Sequence, residues 1–218
     1  MRRVALLPGL ALACTLTGDG EPGLETRVLP VFDAVEVFDD FVVTLEVDAA
    51  MAAAESVVVE FSGDANALGR LFAAVHAVDT LSLGVDPNHL TELMLVPGAS
   101  ARVPALRRVY AEDASALTVS GAREALEIEL HEKATLAVQG GSSVAVDAIA
   151  SDDATLALTG EGPSLTLVVS GRATVDAGRF AAEAVRVEHH GTGEVVVCAT
   201  STIVIRGSGS AQVRLSCA

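Results

Sequence analysis

Over residues 110–218, aliphatic and polar positions alternate in short runs, and the runs return about every twenty residues. The first run of each period carries Leu117 and Val119, Leu136 and Val138, Leu156 and Leu158, Val175, Val195 and Val197, then Val213 and Leu215. A small residue stands two positions before each: Ser115, Ala134, Ala154, Ala173, Gly193 and Ala211. From Leu117 to Val213 the starts are 19, 20, 19, 20 and 18 residues apart. A second run follows in each of the first five periods: Leu126, Ile128, Leu130; Val144, Val146; Leu165, Leu167, Val169; Val185, Val187; Ile203, Ile205. Alternation with period two marks half-buried strands. Two such strands in twenty residues, joined by glycine-bearing turns, make one rung of a parallel β-helix. The pattern therefore predicts an all-β solenoid whose equivalent residues stack about 4.8 Å apart. An up-and-down antiparallel sheet is the competing fold, and the near-constant period favours winding.

The first half is less regular. Val35 and Val37, then Val43, Leu45 and Val47, then residues 57–61, alternate as strands do, and so do Leu81, Leu83 and Val85, with Leu93 and Leu95 after them. Between them, Asp64 can cap a helix in which Leu68, Leu71, Phe72 and Val75 follow helical spacing. The expectation is a short helix over residues 65–77, laid as a cap over the first rung, because stacked repeats need an end piece that hides their apolar face.

Composition fits thin stacked layers. Half of the 218 residues are hydrophobic, yet only 3% are aromatic, with no Trp and one Tyr. The formal net charge of -15 repels phosphate backbones, so a nucleic-acid partner is excluded on charge. Residues 1–13 read as a signal peptide: two arginines, an apolar run too short to span a bilayer, then small residues. Cys14 follows at the place of a lipidated first residue, while Ala11 and Ala13 also permit ordinary secretory cleavage. Residues 14–26, rich in Gly, Pro and acid, read as a flexible tether, and residues 27–218 as a single domain. On this reading the protein is exported to the cell envelope as an outer-membrane or surface lipoprotein, touching the membrane only through its anchor.

The run VFDAVEVFDDFVVTLEV from Val31, with VVVEFSGDANAL from Val57, TLSL from Thr80 and LTELMLVPGAS from Leu90, resembles the head GIN domain family. That family is described as putative auto-transporter adhesins of the bacterial envelope. The most specific elements are the Phe-Asp-x-Val opening at Phe32 and the Gly-Asp-x-Asn segment at Gly63, and the likeness runs from Arg27 to Cys217. The repeated Ser-Gly signature is kept at Ser208 and Ser210, while Asp113 and Lys133 stand elsewhere in its place. The resemblance implies a β-solenoid and an envelope location, and it carries over no catalytic residue.

Chemistry is sparse. Glu112 and Asp113, Glu132 and Lys133, and Asp152 and Asp153 recur at intervals of 20, which is expected to stack Glu112, Glu132 and Asp152 on successive rungs. Calcium could bridge such a column, and a carbohydrate-active enzyme could use paired carboxylates there. The solvated corner is the plainer reading, and neither a catalytic residue nor a cofactor is expected. His189 and His190 are adjacent, so they point to opposite faces of a strand and read as a surface pair. Cys198 and Cys217 fall on adjacent rungs when Val195 is set against Val213, within bridging range for a disulfide. The function expected is a non-enzymatic surface domain for adhesion, ligand binding or spacing. Its partner would be an unknown surface ligand, a glycan or a protein, with end-to-end self-association through the last rung as a further possibility.

Overall fold

The computed structural model describes residues 16–76, 79–85, 90–141 and 144–217. The expected signal peptide and Cys14 lie outside them. In chain order the strands are β1 (Leu16–Thr17), β2 (Pro22–Pro30), β3 (Ala34–Val37), β4 (Val42–Val47), β5 (Ser56–Asp64), β6 (Leu71–His76), β7 (Thr80–Val85), β8 (Leu90–Glu92) and β9 (Gly98–Val103). The second half supplies β10 (Arg108–Ala111), β11 (Ala116–Ser120), β12 (Leu126–Leu130), β13 (Thr135–Gly141), β14 (Val146–Ala150), β15 (Thr155–Gly171), β16 (Thr174–Gly191), β17 (Glu194–Gly209) and β18 (Gln212–Leu215). The fold is a β-solenoid of about 5 turns with rungs of about 20 residues, 68% strand and 3% helix.

The aliphatic columns set its register. On one face Leu117, Leu136, Leu156, Val175, Val195 and Val213 are paired in succession. On the other, Leu126, Val146, Leu165, Val185 and Ile203 are. From Leu117 to Val195, and from Leu126 to Val185, these side chains are buried. Each buried Val or Leu is worth roughly 1.5–3 kcal/mol relative to exposure, which is how a shaft nearly free of aromatics holds together. β15, β16 and β17 each bend around an edge and contribute to both faces.

The rungs are not in sequence order at the N-terminal end. β3 pairs with β7 on one side and β10 on the other, and β4 lies between β9 and β11. The first turn in the chain is thus second in space, with β7 and β9 outside it. Antiparallel strands close that end: β6 on β7, β5 on β9, and β2 on β5.

Two expectations are corrected here. The capping helix expected over residues 65–77 does not form in residues 65–76, the part described; Leu68–Arg70 make one 3-10 turn and Leu71–His76 are strand β6. The exposed edge of β7 offers a row of backbone donors and acceptors, and pairing with it satisfies both strands where an isolated short helix would leave that edge open. Nor is the expected tether of residues 14–26 free over its described part: Leu16–Thr17 pair with β8, and Pro22–Pro30 pair along their whole length with β5. In addition, β8 ends before Leu93 and Leu95. At the opposite end the structure bonds Cys198 to Cys217, with their Cα atoms 4.7 Å apart.

Candidate functional site

After β3, β10, β12 and β14 the chain turns sharply from one face to the other, and one residue of each turn takes a left-handed conformation. These are Asp39 (φ 62°), Asp113 (φ 59°), Glu132 (φ 57°) and Asp152 (φ 59°), followed on the next rung by Gly171 (φ 67°). Aspartate visits this region more readily than most residues because its short side chain bonds locally; any other L-residue there costs roughly 1–2 kcal/mol. On the rung after, Gly191 is required sterically, since a Cβ would lie 2.1 Å from the carbonyl oxygen of Gly171.

The carboxylates of this corner are turned onto the backbone. Asp39 accepts the Val85 N–H at 2.7 Å, Asp113 accepts the Asp39 N–H at 3.0 Å, and Asp152 accepts the Glu132 N–H at 3.4 Å. The acidic column also differs by one member from the expected one. Ala111 is set against Leu130, so Asp113, and not Glu112, stacks on Glu132. Glu112 falls beside His131, and its carboxylate accepts the Tyr110 hydroxyl at 2.5 Å. That bond, with burial and the charges around it, pushes the Tyr110 pKa up to about 12. Asp153 binds Arg172, whose guanidinium holds that carboxyl below its ordinary value. Among the described residues no three His, Cys, Asp or Glu side chains are placed to share a metal ion.

Beside the corner runs a polar strip. The Tyr110 ring lies 5.8 Å from Phe38 and 5.6 Å from His131, centroid to centroid, tilted against both. His131 is held from both sides, Nε2 at 2.9 Å from Glu129 and Nδ1 at 2.8 Å from the Ser151 hydroxyl. Ser151 in turn donates to Asp152 at 2.8 Å. Three rungs therefore present Tyr110 bonded to Glu112, and Glu129 linked through His131 to Ser151, with the Tyr110 and His131 rings in contact. Sequence reasoning does not single out Glu129, His131 or Ser151, although the period of 20 that aligns Glu132 with Asp152 also aligns His131 with Ser151.

The profile of a family described as "putative auto-transporter adhesin, head GIN domain" matches residues 31–218. The chain belongs to that family. Solved structures carry the same fold. A putative adhesin from Parabacteroides merdae is 11% identical, with a TM-score of 0.70, covering 93% of this chain and 99% of its own. One from Bacteroides fragilis is 15% identical, with a TM-score of 0.69, covering 92% and 95%. A protein from Parabacteroides distasonis described as a putative lipid binding protein is 13% identical, with a TM-score of 0.62, covering 93% and 96%. No functionally curated protein matches.

In this head GIN domain the Gly-Asp-x-Asn segment is a structural clasp. Asp64 is 1% exposed and accepts N–H groups from Gly20 at 2.6 Å, Met94 at 2.9 Å and Leu95 at 3.1 Å. Burial pushes its carboxyl up, but the three donors outweigh burial and bring the pKa below its ordinary value. Asn66 adds a bond to the Thr17 carbonyl at 3.0 Å and accepts the Asp19 N–H at 3.3 Å. The histidine pair divides. His190 is exposed and bonded to Ser208 at 2.9 Å, whereas His189 is wholly buried, so the pair is not a surface pair. Neither ring nitrogen of His189 has a partner among the described residues, and burial, with the His190 charge, lowers its pKa.

Proposed function

We propose that this head GIN domain is a non-enzymatic adhesion module of the cell envelope, held there by lipid on Cys14, and that the strip of Tyr110, Glu112, Glu129, His131 and Ser151 is its ligand surface. The observation behind this reading is that these side chains are already fixed in two bonded groups, Tyr110 with Glu112 and Glu129 with His131 and Ser151, which meet where the Tyr110 and His131 rings lie 5.6 Å apart. Rings offer faces to sugar C–H groups, and carboxylates and hydroxyls offer partners to sugar hydroxyls, so a glycan is the ligand class that fits. Preorganised side chains lose little entropy on binding. The chain Glu129, His131, Ser151 has the connectivity of a nucleophile relay. However, the Ser151 hydroxyl lies against the Asp152 carboxylate, which would repel a developing oxyanion. Binding without turnover is the outcome expected.

A glycan array combined with a product-release screen tests this. Wild type is expected to bind, and Tyr110→Ala or His131→Ala to weaken the same glycans about tenfold, as for the loss of one or two hydrogen bonds or a ring contact. Hydrolysis that disappears in Asp152→Asn would reverse the assignment in favour of an enzyme. Palmitate labelling lost in Cys14→Ala tests the anchor.

A second reading, contact with a lipid surface, has one observation in its favour. A shallow groove between Pro22, Gly23, Leu24, Ser62, Gly63, Leu95 and Val96 carries Leu24 at 84% exposure and Val96 at 61%. Vesicle co-sedimentation that depends on Leu24 and Val96 would support it.

A further inference from the structure

The two ends of the solenoid are built differently. The N-terminal end finishes in two edge strands, β2 and the short β6, and β2 carries Pro22 and Pro30 at its limits and turns charged side chains inward. Arg27, opposite buried Val59, lies 4.6 Å over the Phe61 ring. Its guanidinium donates to the Leu71 carbonyl at 2.9 Å, the Leu68 carbonyl at 2.7 Å and Glu25 at 2.7 Å. Prolines and inward charges are how natural sheets protect an edge from pairing with another chain.

The C-terminal end has no such device among the described residues. β18 pairs only with β17, and residues 203–209 of β17 pair only with β16. The inward positions there continue the aliphatic columns. Ile205 is 45% and Leu215 59% exposed, where their counterparts one turn back, Val187 and Val197, are buried completely. Charge differs as well. From residue 195 onward the sequence has Arg206 and Arg214 and no Asp or Glu, in a chain of net charge -15. Both arginines are drawn back to the preceding turn, Arg206 to Glu188 at 3.9 Å and Arg214 to Glu194 at 3.1 Å. This is the stretch where two copies of an acidic protein can approach without carboxylate meeting carboxylate.

We infer that the last turn is a self-association edge, and that two copies meet end to end through residues 203–209 of β17 and through β18. A two-fold axis normal to the faces sets each strand antiparallel to its own counterpart, continues both sheets, and buries Ile203, Ile205, Val213 and Leu215 of both copies in one core. The interface is isologous, each copy using its one last turn, so the assembly closes at two copies instead of growing into a filament.

Light scattering of the full chain carrying Cys14→Ala, so that lipid cannot drive association, is expected to give twice the chain mass. Ile205→Lys and Leu215→Lys are each expected to halve it, with the β-sheet circular dichroism and the Cys198–Cys217 bond retained. Val28→Lys, on β2, is expected to leave it doubled. If a lysine variant does not fold, hydrogen exchange on the Cys14→Ala chain decides instead, since backbone N–H groups of residues 203–209 and 212–215 must gain protection as concentration rises. A single-chain mass throughout, masses that grow beyond two copies, loss of association in Val28→Lys, or protection independent of concentration would each overturn the inference.

Discussion

His189 stands in an apolar column, between Val169 on one rung and Gly207 on the next, and it breaks the rule that buried polar groups are paired. A buried unsatisfied group costs roughly 1–3 kcal/mol. His189→Leu, which keeps the volume and removes the orphan nitrogens, is therefore expected to stabilise the protein by about 1–2 kcal/mol at neutral pH. The sign of the pH dependence follows from the lowered pKa. Above the ordinary imidazole value of 6.5 both folded and unfolded chains are neutral at this site. As pH falls below it the unfolded chain takes up a proton that the folded chain resists, so stability declines toward the folded pKa. Urea denaturation between neutral and mildly acidic pH should show this decline in wild type and lose that part of it in His189→Leu. An identical decline in both would mean that His189 is solvated. The burial was legible in part, since alternation from Val185 and Val187 makes residue 189 an inward position. The missing partners are not legible, because they depend on which side chains the winding sets around residue 189.

At the scale of elements, strands rich in Val and Leu are legible because period-two alternation is their own signal. β2, β6 and β9 are much less so. β9 reads GASARV, small residues that carry little apolar contrast, and β2 and β6 form because other strands need covering edges. β2 also depends on a clasp far from it in sequence. Asp64 receives three backbone N–H groups, from Gly20, Met94 and Leu95, and Asp64→Asn would set an amide against donors that need acceptors. The expected loss is about 3 kcal/mol, and hydrogen exchange should show residues 16–21 opening first. Because the folded carboxyl has a lowered pKa, its contribution is present above the unfolded value of about 4 and is lost as pH falls through the folded value. Denaturation curves of wild type and Asp64→Asn should therefore converge in acid. A gap that stays constant with pH would show that the charge is not what holds the clasp.

For the whole molecule, winding turns a sequence repeat into a charge problem. Asp39, Asp113, Glu132 and Asp152 occupy equivalent corners of successive rungs, so a period that stacks aliphatics favourably inside also stacks carboxylates outside. Two like charges about 5 Å apart repel by about 0.8 kcal/mol in water, and the rest of a net charge of -15 adds to it. The backbone N–H groups that Asp39, Asp113 and Asp152 accept offset part of this locally without removing the charge. Screening should remove more of it, because the Debye length falls from about 30 Å at 0.01 M salt to about 10 Å at 0.1 M. The melting temperature is therefore expected to rise with sodium chloride, by on the order of 3 °C for each kcal/mol of repulsion screened. Calcium and magnesium compared at equal ionic strength separate screening from coordination. Equal shifts are expected if the corner carboxylates serve the backbone, as their hydrogen bonds indicate. A calcium shift several degrees larger than that of magnesium would mean that oxygens of Asp39, Asp113 or Asp152 leave the backbone to bind the ion, and the column would then be a calcium site after all.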